Sequence, residues 1–197
     1  MIVQRRIAPA EFRRMPWRNG AGSSDQILSW PADDDDRFVW RAALATIERP
    51  GPFSGWPGID RTFALVGGDP VVLDFDARPP VSVKRGEVAR FRGEDAPGCR
   101  LVGGTARAFN LMVRRGRGRG DIAFATSREP AALMTASCVC YAVSGACRVD
   151  AGAERAIHLD EGHALAIDAP AGATTQLRVA PIHPEGLAVV ASVDAGA

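Results

Sequence analysis

The chain has 197 residues, 46% of them hydrophobic, enough to bury a real core in one large domain or two small ones. Its 24 Lys plus Arg against 23 Asp plus Glu leave a formal net charge of +1, so no global field draws it to nucleic acid or an anionic membrane. The opening MIVQRRIAPAEFRRM lacks the apolar stretch of a secretory signal, and no run approaches the roughly 18 apolar residues of a membrane span, so a cytoplasmic protein is expected.

In chain order, the first predicted element is a short helix over residues 8–14, where Pro9 suits a first turn and Glu11 suits the N-terminal dipole. It is followed by a polar island, PWRNGAGSSDQI, over residues 16–27. Trp17, Arg18, Asn19, Gly20, Ser24 and Gln26 combine a stacking wall with amide donors and acceptors, a set suited to a polar planar ligand. A turn followed by a strand explains the same residues as cheaply.

A strand is predicted over 38–47. Period-2 alternation puts Val39, Arg41, Ala43, Ala45 and Ile47 on one face and Phe38, Trp40, Ala42, Leu44 and Thr46 on the other. Both faces are apolar, so the strand should be covered on both sides, and Arg41 must then find an anion or several acceptors. A structural ion pair and a ligand carboxylate both answer that need. The loop PGPFSGWPGIDR follows, its prolines and glycines shaping it to hold Ser54 and Arg61 in place, although a surface crossover whose Phe53 and Trp56 plug the barrel end explains it as well.

Beyond it, short apolar stretches recur every 8 to 12 residues between Gly, Pro and Asp, the pattern of an all-β sandwich or barrel. Strands are predicted over 62–66, 70–75, 81–84, 88–92, 98–103 and 106–114, the last placing Asn110 and Arg114 on one face with Met112 between them. RRGRGRGD, residues 114–121, reads as a solvated connector. A second short helix is predicted over 129–134, then strands over 138–144, 146–150, 155–159, 163–168, 173–179 and 187–193. ALVGGDPVVLDF with PPVSVKRGEVARF is echoed by YAVSGACRVDA with RAIHLDEGHALAI, aligning Gly68 with Gly145 and Gly86 with Gly162. Convergent turn chemistry produces such an echo in any β protein, and two related β-barrels in tandem are the favoured reading of it.

Cys99, Cys138, Cys140 and Cys147 are expected as free thiols packed like small hydrophobes. His158, His163 and His183 form no ligand cluster, so neither a zinc site nor a catalytic metal is expected. Nucleophile-elbow, Walker and dinucleotide motifs are absent, and Asp25, Glu48 and Asp60 are the acid–base candidates near the islands.

Taken together, PWRNGAG, FVWRAALA, GPFSGWPGIDR, FRGEDAP and FNLMVRRG resemble the HutD/Ves family of cupin-like proteins, well over the first 115 residues and more weakly to the end. The resemblance implies an all-β bicupin, two tandem cupin-like, jelly-roll type β-barrels, divided here as residues 1–115 with the ligand pocket and 116–197, terminal segments being free to exchange between barrels. It implies metal-free binding of a small carboxylate or formylated metabolite that moderates histidine utilisation or a stress response, with no cofactor, nucleic acid or membrane partner. A homodimer is compatible with it. A hydrolase or isomerase acting on a formylated or imidazole-derived amino acid is the alternative. Carried onto this sequence, the motif positions give a pocket of Trp17, Asn19, Gly20, Trp40, Arg41, Phe53, Ser54, Arg61, Phe109, Asn110 and Arg114. Ala21, Gln26, Trp56 and Ala108 depart from the family pattern, which has Gly, Glu, Phe and Asp there; loss of two carboxylates makes the pocket more cationic or changes its ligand.

Overall fold

The computed structural model describes residues 2–20, 22–31, 37–152, 155–170 and 172–195. Nearly everything regular in it is strand: β1 (Val3–Ile7), β2 (Arg13–Pro16), β3 (Ser23–Trp30), β4 (Trp40–Ile47), β5 (Gly51–Pro52), β6 (Ile59–Gly68), β7 (Val71–Asp74), β8 (Val81–Val83), β9 (Val88–Arg92), β10 (Gly98–Leu101) and β11 (Ala106–Arg114). The second half adds β12 (Gly118–Thr126), β13 (Ala131–Thr135), β14 (Ser137–Ser144), β15 (Cys147–Asp150), β16 (Ile157–Leu159), β17 (Ala164–Asp168), β18 (Thr175–Pro181) and β19 (Leu187–Ala195). No helix among the described residues is long and apolar enough to cross a membrane.

Neither predicted helix forms. Of the first, Pro9–Glu11 alone closes, as a 3-10 turn in which the Ala8 N–H donates to Glu11 Oε2 at 2.7 Å. Arg13 and Arg14 then enter a ladder with Gln26 and Asp25, a pairing that a segment without an apolar helical stripe does not resist. Residues 131–135 pair with β18 instead, and their alternating burial is that of a half-covered strand.

The chain divides into two compact units, Arg13–Arg117 and a second made of Met1–Phe12 with Gly118–Ala197. The division expected from sequence is 1–115 and 116–197, with terminal segments free to exchange between barrels. In the structure β1 pairs with β17 across five residues, so this terminal segment completes a sheet of the second unit. The Gly-Arg tract is likewise more than a connector, since β12 begins at Gly118 and pairs with β19.

The first unit holds a six-stranded sheet, β2-β3-β4-β11-β6-β9, and a four-stranded one, β5-β10-β7-β8. The second repeats the plan as β1-β17-β14-β19-β12 and β13-β18-β15-β16. The order β4-β11-β6-β9 of one thus reappears as β12-β19-β14-β17 in the other, and each inner pair carries a register shift, near Ala108 in β11 and near Ala142 in β14. The aligned glycines agree: Gly68, Gly145, Gly86 and Gly162 all sit at φ between 70° and 87°, where a side chain would be strained. Gly86 N–H donates to Leu65 O as Gly162 N–H donates to Ala142 O.

Within the first unit the two sheets share an apolar cluster. Phe63, Leu65, Phe91 and Ala108 of the larger sheet pack with Val71, Leu73, Val83 and Cys99 of the smaller one, and Phe53 joins them from the loop. Each fully buried large side chain of this kind is worth about 1.5–3 kcal/mol. Cys138, Cys140 and Cys147 lie in the equivalent cluster of the second unit, free and buried, as small hydrophobes do. Burial pushes Cys99 and Cys147 up to about 11, so both stay protonated and unreactive at neutral pH.

Candidate functional site

The apolar cluster fills only part of the first unit. Along β4, β6 and β11 the inward face turns from apolar to polar: Ala45, Ala43, Arg41 on β4; Phe63, Arg61 on β6; Ala108, Asn110, Met112 on β11. Cross-strand register sets Arg41, Met112 and Arg61 in one row and Gln26, Ala43 and Asn110 in the next. These rows border a cavity of about 170 Å³, small enough for a metabolite of a few carbons.

Its lining carries three guanidinium groups, Arg18, Arg41 and Arg61, with Ser24, Gln26, Ser54 and Asn110 as neutral polar groups and, among the described residues, no Asp, Glu, His or Cys. No group of three or more such residues that could hold a metal ion occurs among the described residues. The two inner arginines lie against aromatic faces. Arg41 Cζ is 4.1 Å from the Phe38 ring centroid and 5.3 Å from that of Trp56. Arg61 Cζ is 5.1 Å from Phe53 and 5.0 Å from Phe91. Such contacts attract a cation without neutralising it.

Arg61 is the most exposed to that deficit. It is 8% solvent-accessible, its Nη2 donates to Asn110 Oδ1 at 3.0 Å, its Nε meets no acceptor, and no carboxylate pairs with it among the described residues. Burial alone pushes its guanidinium down to about 10. A buried cation costs several kcal/mol unless an anion and full hydrogen bonding compensate it, and here the compensating anion is not supplied by the described protein groups.

A hairpin closes one side of the cavity. Trp17 N–H donates to Gly22 O and Gly20 N–H to Trp17 O, and Gly20 takes φ of 69° to make the turn. Trp17 stands edge-on to Phe53 and spends its indole N–H on Ser24 Oγ at 2.8 Å, so it is a wall with no donor to spare. Gly22 lies flat beneath that ring; a Cβ there would come within 3.0 Å of it. Asn19 is not part of the lining and clips the hairpin to the following loop, donating from Nδ2 to Pro52 O at 2.8 Å, while its backbone N–H reaches Ser54 Oγ. Arg18 stacks on Trp56 of the same loop at 3.8 Å.

Of the residues carried over from the family motifs, Trp17, Arg41, Phe53, Ser54, Arg61 and Asn110 therefore line the cavity, and Asn19 and Gly20 shape the hairpin beside it. Three stand elsewhere. Trp40 and Phe109 occupy the opposite face of their strands from Arg41 and Asn110, where both are buried, because successive side chains alternate. Arg114 shares the face of Asn110 but lies past the cavity, donating from Nε to Phe38 O at 3.0 Å. Ala21 lies outside the described residues. Ala108 is fully buried in the apolar cluster.

Met15, Pro16, Ile47, Trp56, Phe63 and Met112 complete the walls and were not singled out as site residues. For Phe63 and Met112 the signal was there: they alternate with Arg61 and Asn110. The carboxylates near the islands do not enter. Asp25 faces Arg14 at 3.9 Å, Asp60 pairs with Arg115 at 2.9 Å, and Glu48 is exposed.

The loop bearing Ser54 and Trp56 is held by close approach to Gly93. Trp56 N–H donates to Gly93 O, and a Cβ on Gly93 would overlap the Trp56 carbonyl oxygen and lie 2.8 Å from Trp56 Cβ. Gly93→Ala is expected to cost about 1–3 kcal/mol and to shift this wall. Thermal melts should show the loss, and anion affinity should fall with it.

The HutD family model matches residues 9–182. The chain belongs to the HutD family. An uncharacterized 21.2 kDa protein in the hutC 3′ region of Pseudomonas putida is 34% identical over 112 residues, 57% of this chain and 59% of that one, so the match spans less than two thirds of that relative. Protein Ves of Cronobacter sakazakii is 32% identical over 145 residues, covering 69% of this chain and 76% of its own. The solved structure of HutD from Pseudomonas fluorescens SBW25 superposes over 99% of this chain and 100% of its own with a TM-score of 0.80 at 23% identity, a likeness of fold. The fold of this HutD-family chain is all-β and cupin-like.

Proposed function

We propose that this HutD-family chain binds a small carboxylate or formylated metabolite in the cavity of its first unit, without a metal, and through that binding moderates histidine utilisation or a related stress response in the cytoplasm. The observation that carries the reading is Arg61: a buried guanidinium, hydrogen-bonded to Asn110, facing a cavity with no carboxylate among the described residues. An incoming carboxylate supplies the missing anion and accepts the Nε–H, a charge-assisted contact stronger than a neutral one. Family membership and the hutC-region relative support the link to histidine utilisation. We read the two repeated units as a bicupin, two barrel-like modules of one plan of which the first carries the ligand.

The alternative, hydrolysis or isomerisation, needs a general acid or base within hydrogen-bond reach of the ligand. Asp25, Glu48 and Asp60 lie outside the lining, which leaves the binding reading in front.

A thermal-shift screen of chelator-treated protein against histidine, urocanate, formiminoglutamate, formylglutamate, glutamate and formate, with divalent metals added separately, tests it. A ligand at a hundred times its Kd adds about 2.7 kcal/mol, a rise of several degrees at this chain length. A rise with one of these carboxylates and none with metals is expected; a rise with metals alone overturns the metal-free reading.

A further inference from the structure

The cavity also holds an unsatisfied group of opposite kind to the Nε–H of Arg61 and of Arg41. Gln26 is 7% accessible and its Nε2 donates to Ser29 Oγ at 3.2 Å, while its Oε1 is buried with no hydrogen-bond partner. The Ser29 hydroxyl accepts from Gln26 Nε2 and lies 3.5 Å from Pro31 O as a donor, an arrangement in which the Gln26 oxygen is turned away from Ser29. A buried amide oxygen without a donor is expensive in the empty protein and is the sort of group that a ligand satisfies.

Its position suits that role. Gln26 and Asn110 both pair with Ala43, from the strands on either side of it, so two adjacent strand spacings put their Cα atoms about 10 Å apart. Ala43 is too small to fill the gap between the two side chains. A short ligand lying over Ala43 reaches Arg61 and Asn110 at one end and Gln26 at the other.

We infer that Gln26 determines specificity: the ligand is a carboxylate that also bears an N–H or O–H donor a few bonds away, aimed at Gln26 Oε1. This rests on the anion reading above and deepens it. A bare carboxylate satisfies Arg61 but leaves the Gln26 oxygen orphaned; an amide or hydroxy acid satisfies both. The carbonyl or ether oxygen of a ligand placed there instead meets an acceptor with an acceptor, which the site rejects.

The matched pair N-acetylglycine and acetoxyacetate tests this, because the two differ only in N–H against O. Lactate and propionate make the corresponding hydroxyl pair. By calorimetry on the full chain, N-acetylglycine or lactate is expected to bind at least about tenfold more tightly than its donorless partner, the effect of one buried hydrogen bond. Gln26→Met keeps the volume, removes the acceptor and should bring the preferred ratio to near one. Equal binding within both pairs by the wild-type chain overturns the assignment without need of any variant, as does a preference that survives in folded Gln26→Met. Carboxylates that bind through Arg61 but without preference sink the Gln26 role alone. Absence of binding by all four, or binding untouched by Arg61→Met, overturns both this inference and the anion reading.

Discussion

Arg61→Met should abolish anion binding while leaving the melting temperature unchanged or raised. The two halves of that expectation come from the same observation. Arg61 is buried, makes one hydrogen bond, and faces no carboxylate among the described residues, so the empty protein carries the desolvation cost of a cation with little return. Methionine keeps a flexible stem beside Phe53, Phe91 and Met112 and removes the charge. A charge-assisted pair is worth about 1.5–3 kcal/mol per hydrogen bond, so loss of a bidentate contact lowers affinity by roughly a hundredfold or more. A structural arginine behaves in the opposite way, its removal lowering the melting temperature and sparing whatever affinity exists. Calorimetry and thermal melts on one variant therefore separate the readings.

The same residue sets a pH signature. Burial pushes Arg61 down to about 10 in the folded chain, below the ordinary value it keeps when unfolded. Between those values the unfolded chain binds the extra proton, so the contribution of this group to stability rises with pH across that window. Anion affinity moves the other way, falling as pH climbs through about 10 and the guanidinium loses its proton. Binding titrations from pH 8 to 11 should show that decline, and the decline should vanish with the binding itself in Arg61→Met.

Much of this was legible in the residues, and the reasons differ from one position to the next. Strand β4 could be read because its alternation is unbroken: Arg41, Ala43, Ala45 and Ile47 share the face assigned to them and all border the cavity. Strand β11 was placed at its observed bounds, and the repeat was legible because Gly68, Gly86, Gly145 and Gly162 each meet a backbone demand that few other residues meet. Gln26 was harder. Its strand carries a register shift between Gln26 and Leu28, which breaks the period of two and hides that Gln26 and Ser29 meet side chain to side chain. The hairpin of residues 17–22 misled in another way, since Asn19 looks like a ligand reader but spends its amide on Pro52 O, a partner 33 positions away that local sequence does not announce. Strand β1 was missed for a similar reason: its partners, Ala164–Asp168, lie at the far end of the chain. The short helices were overcalled because capping chemistry at Pro9 and Glu11 fits a single 3-10 turn as well as a longer helix.

Motif transfer failed where a motif mixes the two faces of a strand, and that failure yields the second large expected effect. Within FNLMVRRG, Phe109 and Asn110 are adjacent, so they point to opposite sides of β11. Phe109 is fully buried among the outward residues of the central strands, alongside Leu44 and Ala64 across its two ladders, while Asn110 reaches Arg61. Phe109→Ala removes a large ring from a closed environment and should cost about 3–5 kcal/mol. At roughly 2–4 °C per kcal/mol for a chain of this size, the melting temperature falls by about 6–20 °C. Carboxylate affinity measured well below that melt should stay within about twofold of wild type, because the row that holds Arg41, Met112 and Arg61 is untouched. A folded Phe109→Ala that loses affinity as Arg61→Met does would mean that the ring shapes the cavity through the strand, and that the division of this motif into a core face and a ligand face is wrong. Retained affinity with a large loss of stability places the functional half of the motif on Asn110 and leaves Phe109 as the packing that keeps β11, and with it the Asn110–Arg61 pair, in register.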